Sequence, residues 1–136
     1  MAKVFTGRVV IPGDKMDDFI QAMKEAEEAR APFRKGFEKL NQEFADFLAQ
    51  KYVPKTVRKH TGIVELFIHF ICGYTDVDSI EDITKGMVNS QFRSWYKKKV
   101  WDSTQDSDLR VALKKFFQFL GTEKGIINQK ALDALN

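Results

Sequence analysis

The stretch from Phe44 to Cys72 constrains the fold more than any other part of this chain. It closes an apolar stripe in which Phe33, Phe37, Leu40, Phe44, Phe47 and Leu48 recur at intervals of three and four, the spacing of one helical face. Val53-Pro54 then breaks the pattern, and a second helix is expected over about Lys55–Cys72, with Gly73 as its stop. Val57, Thr61, Val64, Phe67, Ile68 and Ile71 form its inward face. That helix opens basic (Lys55, Arg58, Lys59, His60) and finishes apolar, so one end packs and the other presents charge.

The remaining segments extend the same pattern. Asp14 is a candidate N-cap for a helix carrying Met16, Phe19, Ile20 and Met23. It is expected to end before Pro32, which would open the next helix. Ser79 and Asp82 resemble a capping box, and helices are expected over about Lys85–Val100, around Leu109–Leu120 and within residues 126–135. Residues 3–11, β-branched and aromatic, read as a short extended N-terminal arm. The expected architecture is all-α, a compact bundle of five to six short helices. Twelve Phe against only three Pro and eight Gly suit such a core and argue against a loop-rich or all-β fold.

Charge is unevenly distributed. The formal net charge is +3, but residues 1–30 carry five Lys/Arg against six Asp/Glu, whereas residues 31–75 carry seven against four. The single Cys72 excludes an internal disulfide and fits a reducing, cytoplasmic setting. The best apolar run, Ile63–Gly73, is far too short for a membrane span, so no membrane association is expected.

Catalytic and metal-binding constellations are weak. His69 and Cys72 share a helical face, but zinc needs three or four ligands, and both read as buried core residues. The carboxylate pairs Asp17-Asp18, Glu27-Glu28 and Glu81-Asp82 read as solvated charge. With two His and no phosphate-cradling glycine loop, neither an enzyme nor a cofactor is expected. Two basic clusters remain. Lys55, Thr56, Arg58 and Lys59 open a helix whose backbone N–H groups and cations would converge on phosphate oxygens. Ser103, Thr104 and Gln105 are followed by Arg110, Lys114 and Lys115, a set able to contact phosphates and base edges. The same residues also have plain structural readings: Thr56, Ser103 and Thr104 as caps, the cations as solvated charge.

At these residues the order of motifs resembles the N-terminal core-binding domain of tyrosine recombinases, the phage-integrase family. The resemblance is carried by Phe44-Ala-Asp-Phe-Leu48, Lys55-Thr56-Val57-Arg58, Leu66-Phe67-Ile68-x-Phe70, Ser79-Ile80-Glu81-Asp82-Ile83-Thr84, Leu113–Leu120 and Gly125-Ile126-Ile127-Asn128. It covers residues 40–136, about 70% of the chain, and leaves residues 1–39 as an arm and an extra helix. It departs from the family at Gln129, where a proline is usual. The resemblance implies a SAM-like helical fold that clamps double-stranded DNA beside a separate catalytic domain. The DNA-facing positions would be Lys55, Thr56, Arg58, Lys59, Ser103, Thr104, Gln105, Arg110 and Lys114. The family's tyrosine nucleophile belongs to that catalytic domain, so Tyr52, Tyr74 and Tyr96 are not expected to serve as one. A different class, a helical protein–protein interaction module using Phe19 and Met23, is the alternative, with self-association as its simplest form.

Overall fold

The structure, a computed structural model, describes residues 16–136. The extended arm expected over residues 3–11 and the Asp14 cap lie outside the described residues. Five α-helices follow one another: α1 (Met16–Ala49), α2 (Pro54–Tyr74), α3 (Phe92–Lys99), α4 (Asp106–Glu123) and α5 (Gln129–Leu135). A 3₁₀ turn, Ile80–Asp82, and a wide π-turn, Met87–Gln91, lie between α2 and α3. No strand occurs among the described residues.

The first correction concerns Pro32. Two helices were expected to meet there, yet α1 runs through it for 34 residues. Proline inside a helix removes one backbone donor and crowds the carbonyl four residues earlier. Here Pro32 and Glu28 are both solvent-exposed, so water can satisfy the Glu28 carbonyl. The turns that follow are fastened by burial of Phe37, Phe44 and Leu48, which outweighs the local penalty. The expected division between residues 39 and 40 falls inside α1, and Phe37 shares one core with Phe44.

That core is built largely from phenylalanine rings. Phe37, Phe44, Phe67, Phe92, Phe116 and Phe117 are all fully buried. Phe37 stacks on Phe116 at 5.9 Å between centroids, Phe44 meets Phe116 edge-on at 5.3 Å, and Phe67 meets Phe92 edge-on at 5.1 Å. These contacts lock α1 to α4 and α2 to α3. Each such ring stabilises the fold by about 1.5–3 kcal/mol through burial alone.

Two polar anchors complete the packing. From α1, the Arg30 guanidinium donates to the carbonyls of Ile71 and Val77, capping the end of α2 and the loop beyond it. The buried Asn128 donates to the carbonyls of Ile80 and Ile83 at 2.8 and 2.9 Å, while its Oδ1 accepts from the Ala131 N–H at 3.0 Å. One side chain therefore caps α5 and holds the 3₁₀ segment.

The histidines are a second correction. His60, counted with the basic opening of α2, is buried, whereas His69 is exposed and Cys72 only half-buried. The reason is helical phase. At 100° per residue, positions 60, 64, 67 and 71 fall on one line, and residue 69 projects from the opposite side. His69 instead sits against the rings of Tyr74 and Trp95, with its Nδ1 3.4 Å from the Arg34 guanidinium.

Candidate nucleic-acid interface

The two basic clusters, some fifty residues apart in sequence, meet at the first turn of α4. Lys59 Nζ lies 3.0 Å from Asp108 Oδ1, and Lys97 Nζ lies 3.3 Å from Asp106 Oδ2. Two carboxylates in the first turn of a helix favour its dipole. Here they also fasten the start of α2 on one side and the cationic end of α3 on the other.

A second link lies one to two turns along α4. Lys115 Nζ donates to the Tyr52 hydroxyl at 3.0 Å and sits 5.1 Å from the centre of that ring. The Tyr52 ring in turn meets His60 edge-on at 6.4 Å. The loop between α1 and α2 is thereby pinned to α4. Lys115's hydrogen bond and charge lower the Tyr52 pKa below its ordinary value of 10. His60 is held below its ordinary 6.5, first by burial and then by the neighbouring charges of Lys115 and Lys59. Its Nδ1 is buried without a hydrogen-bond partner among the described residues.

The outer strip of α4 is cationic. Positions 107, 110, 111, 114, 115 and 118 turn away from the core, which takes Leu109, Ala112, Leu113, Phe116, Phe117, Phe119 and Leu120. Arg110 and Lys114 stand on this strip one turn apart, with Val111 between them 40% exposed. Lys51, Lys55 and Arg58 are exposed around the start of α2, where Tyr52 and Val53 are exposed as well. Among the described residues, Lys55, Arg58, Arg110 and Lys114 make no ion pair.

Several expected roles change. Thr56 is not the cap of α2: Val53 holds that position with Pro54 after it, and the N–H groups of Thr56 and Val57 are directed to the Val53 carbonyl at 3.0 and 3.1 Å. The start of α2 thus presents side-chain charge rather than a cluster of free backbone donors. Nor do Ser103 and Thr104 cap α4. That position belongs to Gln105, whose N–H donates to Asp108 Oδ2 at 3.1 Å in a reciprocal capping box. The Gln105 amide also donates to the Ser103 carbonyl at 3.3 Å, and the Thr104 N–H donates to Asp102 Oδ1 at 2.9 Å. Asp102 itself is fixed by the Tyr96 hydroxyl at 2.8 Å. The segment 103–105 is therefore a built turn that leads into α4.

Lys51 and Tyr52 stand beside the start of α2 without a sequence signal of their own. Tyr52 is tied to α4 by Lys115, which lies 63 residues from it. No group of three or more His, Cys, Asp or Glu side chains is arranged to hold a metal ion among the described residues, and none of the described helices is long and apolar enough to cross a membrane. No protein-family model, curated protein or solved structure matches this chain.

Proposed function

We propose that this chain is a DNA-binding helical module of the integrase core-binding type, gripping duplex phosphates with the basic surface of α2 and α4. The observation that carries the reading is the Lys59–Asp108 bridge, because it fastens the start of α2, which bears Lys55 and Arg58, to the start of α4, which bears Arg110. Four cations that make no ion pair among the described residues, Lys55, Arg58, Arg110 and Lys114, suit a phosphate backbone, which demands several positive contacts at once. The order of aromatic motifs from Phe44 to Leu120 supports the same assignment. Lys59 acts mainly as a structural link, and Gln105 as a cap, so neither is the first choice for contact with DNA.

The test is a titration of duplex DNA at several salt concentrations. Reversing Lys55, Arg58 and Arg110 to Glu lowers affinity and reduces the slope of log K against log salt by about one for each lost phosphate contact. Unchanged affinity in a variant with native circular dichroism rejects the proposal.

A second reading, a protein–protein interaction module, rests on a separate observation. On the amino-terminal half of α1, Ile20 is 44% and Met23 36% exposed on an acidic helix. Sedimentation in the absence of DNA distinguishes it.

A further inference from the structure

The end of α2 and one face of α3 line an open groove of about 540 Å³ that the duplex reading leaves unused. Tyr74, the last residue of α2, forms one wall. Ser90 and Gln91 come from the π-turn, and Ser94, Trp95, Lys98 and Lys99 from α3. Trp95 is buried, and the other lining residues are exposed. Wide helical turns such as Met87–Gln91 are rare and recur at functional sites.

The groove places two chemistries side by side. The first is aromatic. The Tyr74 ring is backed by Phe70, nearly parallel at 6.4 Å, and meets Trp95 at 5.6 Å, yet Tyr74 remains 53% exposed. Trp95 is stacked on Phe92 at 6.0 Å, and its Nε1 is buried with no hydrogen-bond partner among the described residues. Rings held by their neighbours lose little freedom when a ligand covers them. The second chemistry is cationic and polar. Lys97 is bridged to Asp106, but Lys98 and Lys99 make no ion pair among the described residues. The side chains of Ser90, Gln91 and Ser94 make no hydrogen bond there either. A cationic last turn suits the dipole of α3, but the dipole gives no reason for an aromatic wall beside it.

We propose that this groove binds single-stranded nucleic acid, with a base against Tyr74 and the adjoining phosphates on Lys98 and Lys99. Proteins that hold single strands combine a cationic track with aromatic rings on which bases stack. The hydroxyls and the amide supply partners for the edge of an unpaired base. A duplex keeps its bases stacked on one another and cannot offer one to the ring.

The openness of the groove selects a strand over a free nucleotide, because sites for small molecules bury most of their ligand. A further ring adjoins it: Trp101 is 91% exposed, and its Nε1 donates to the Lys98 carbonyl at 3.3 Å. A strand has a second base to place there. A lipid surface fits less well, since Ser90, Gln91 and Ser94 would lose water without gaining partners. The inference uses none of the residues of the duplex reading and does not rest on it.

Fluorescence anisotropy of a labelled oligothymidine strand tests it on the full chain. Wild type binds the strand, and Tyr74→Ala weakens binding about tenfold, whereas Tyr74→Phe keeps it, because the ring and not the hydroxyl makes the contact. Lys98→Gln with Lys99→Gln lowers the slope of log K against log salt by about 1.4, the value for two single-strand phosphates. Trp101→Ala weakens binding severalfold. Circular dichroism confirms that each variant is folded; all four positions are exposed. A wild type that does not bind the strand, or folded Tyr74→Ala or double-lysine variants that bind as wild type does, overturns the inference. Tyr74→Phe as weak as Tyr74→Ala overturns the stacking. Trp101→Ala with wild-type affinity overturns the strand as occupant in favour of a single nucleotide. Vesicles of phosphatidylserine that capture wild type but not the double-lysine variant, with no strand binding, assign the groove to a lipid surface instead. Duplex DNA is titrated in parallel: wild type that ignores duplex while the strand results hold rejects the duplex reading and leaves this one standing.

Discussion

Lys59 Nζ lies 3.0 Å from Asp108 Oδ1, and the other oxygen of that carboxylate accepts the Gln105 N–H at 3.1 Å. One side chain thus closes the capping box of α4 and fastens α2 to it. Removing it costs more than removing its partner, because a cap is lost along with a half-exposed ion pair. Asp108→Ala is expected to destabilise by about 1–2 kcal/mol, and Lys59→Ala by less than about 1 kcal/mol. Urea unfolding of both variants checks the ranking. The Lys59 hydrogen bond, then that of Gln105, lowers the Asp108 pKa. Its contribution is therefore complete above the unfolded carboxylate value and fades as pH falls through the lower folded value. Asp108→Ala should flatten the acid limb of the stability curve below about pH 4.

His60 supplies a second pH dependence. It is buried among Tyr52, Lys59, Asp108 and Lys115, and burial, followed by the two lysine charges, lowers its pKa. The unfolded chain therefore takes up the proton more readily than the folded one. Stability is full above about pH 6.5, declines as pH falls below it, and levels off below the folded pKa. Urea midpoints measured from about pH 8 to about pH 5 should show this slope in wild type and lose it in His60→Leu. A slope that survives the substitution assigns it elsewhere.

Asn128 uses both ends of its amide, donating to Ile80 and Ile83 and accepting from Ala131. Asn128→Leu leaves two carbonyls without their donor and α5 without its cap, a loss of about 2–4 kcal/mol. Asn128→Asp can still accept from Ala131 but faces the two carbonyls with negative charge, so it should be no milder. Thermal unfolding of the pair separates the donor role from the cap.

Pro32 stands inside α1 at an exposed position. Replacing it with alanine restores a backbone donor to the Glu28 carbonyl and removes the ring's crowding. Pro32→Ala is expected to stabilise the protein by about 1–3 kcal/mol and to raise the helical circular dichroism signal. A lower melting temperature would mean that the proline shapes a contact of the acidic half.

The all-helical fold was legible because Phe33 to Leu48 and Val57 to Ile71 repeat at helical spacing, and such periodicity is a local property. The break at Val53-Pro54 was equally local. Pro32 was misleading for the opposite reason: whether a proline ends a helix depends on the burial of Phe37 and Phe44 one and more turns later. Arg110, Lys114, Lys55 and Arg58 were legible as separate cations, but Tyr52 gained its place beside α4 only through Lys115. Gln105 lost its expected role once Asp108 drew it into a cap.

Residue order alone therefore determined which segments are helical and where cations cluster, since each is set by neighbours within a few residues. Tertiary structure alone decided which histidine is buried, which hydroxyls and amides are consumed by caps, and that Lys59 and Asp108 fasten the two cationic segments together. Those outcomes depend on ion pairs and ring contacts between residues roughly fifty or more positions apart, whose partners no local pattern specifies.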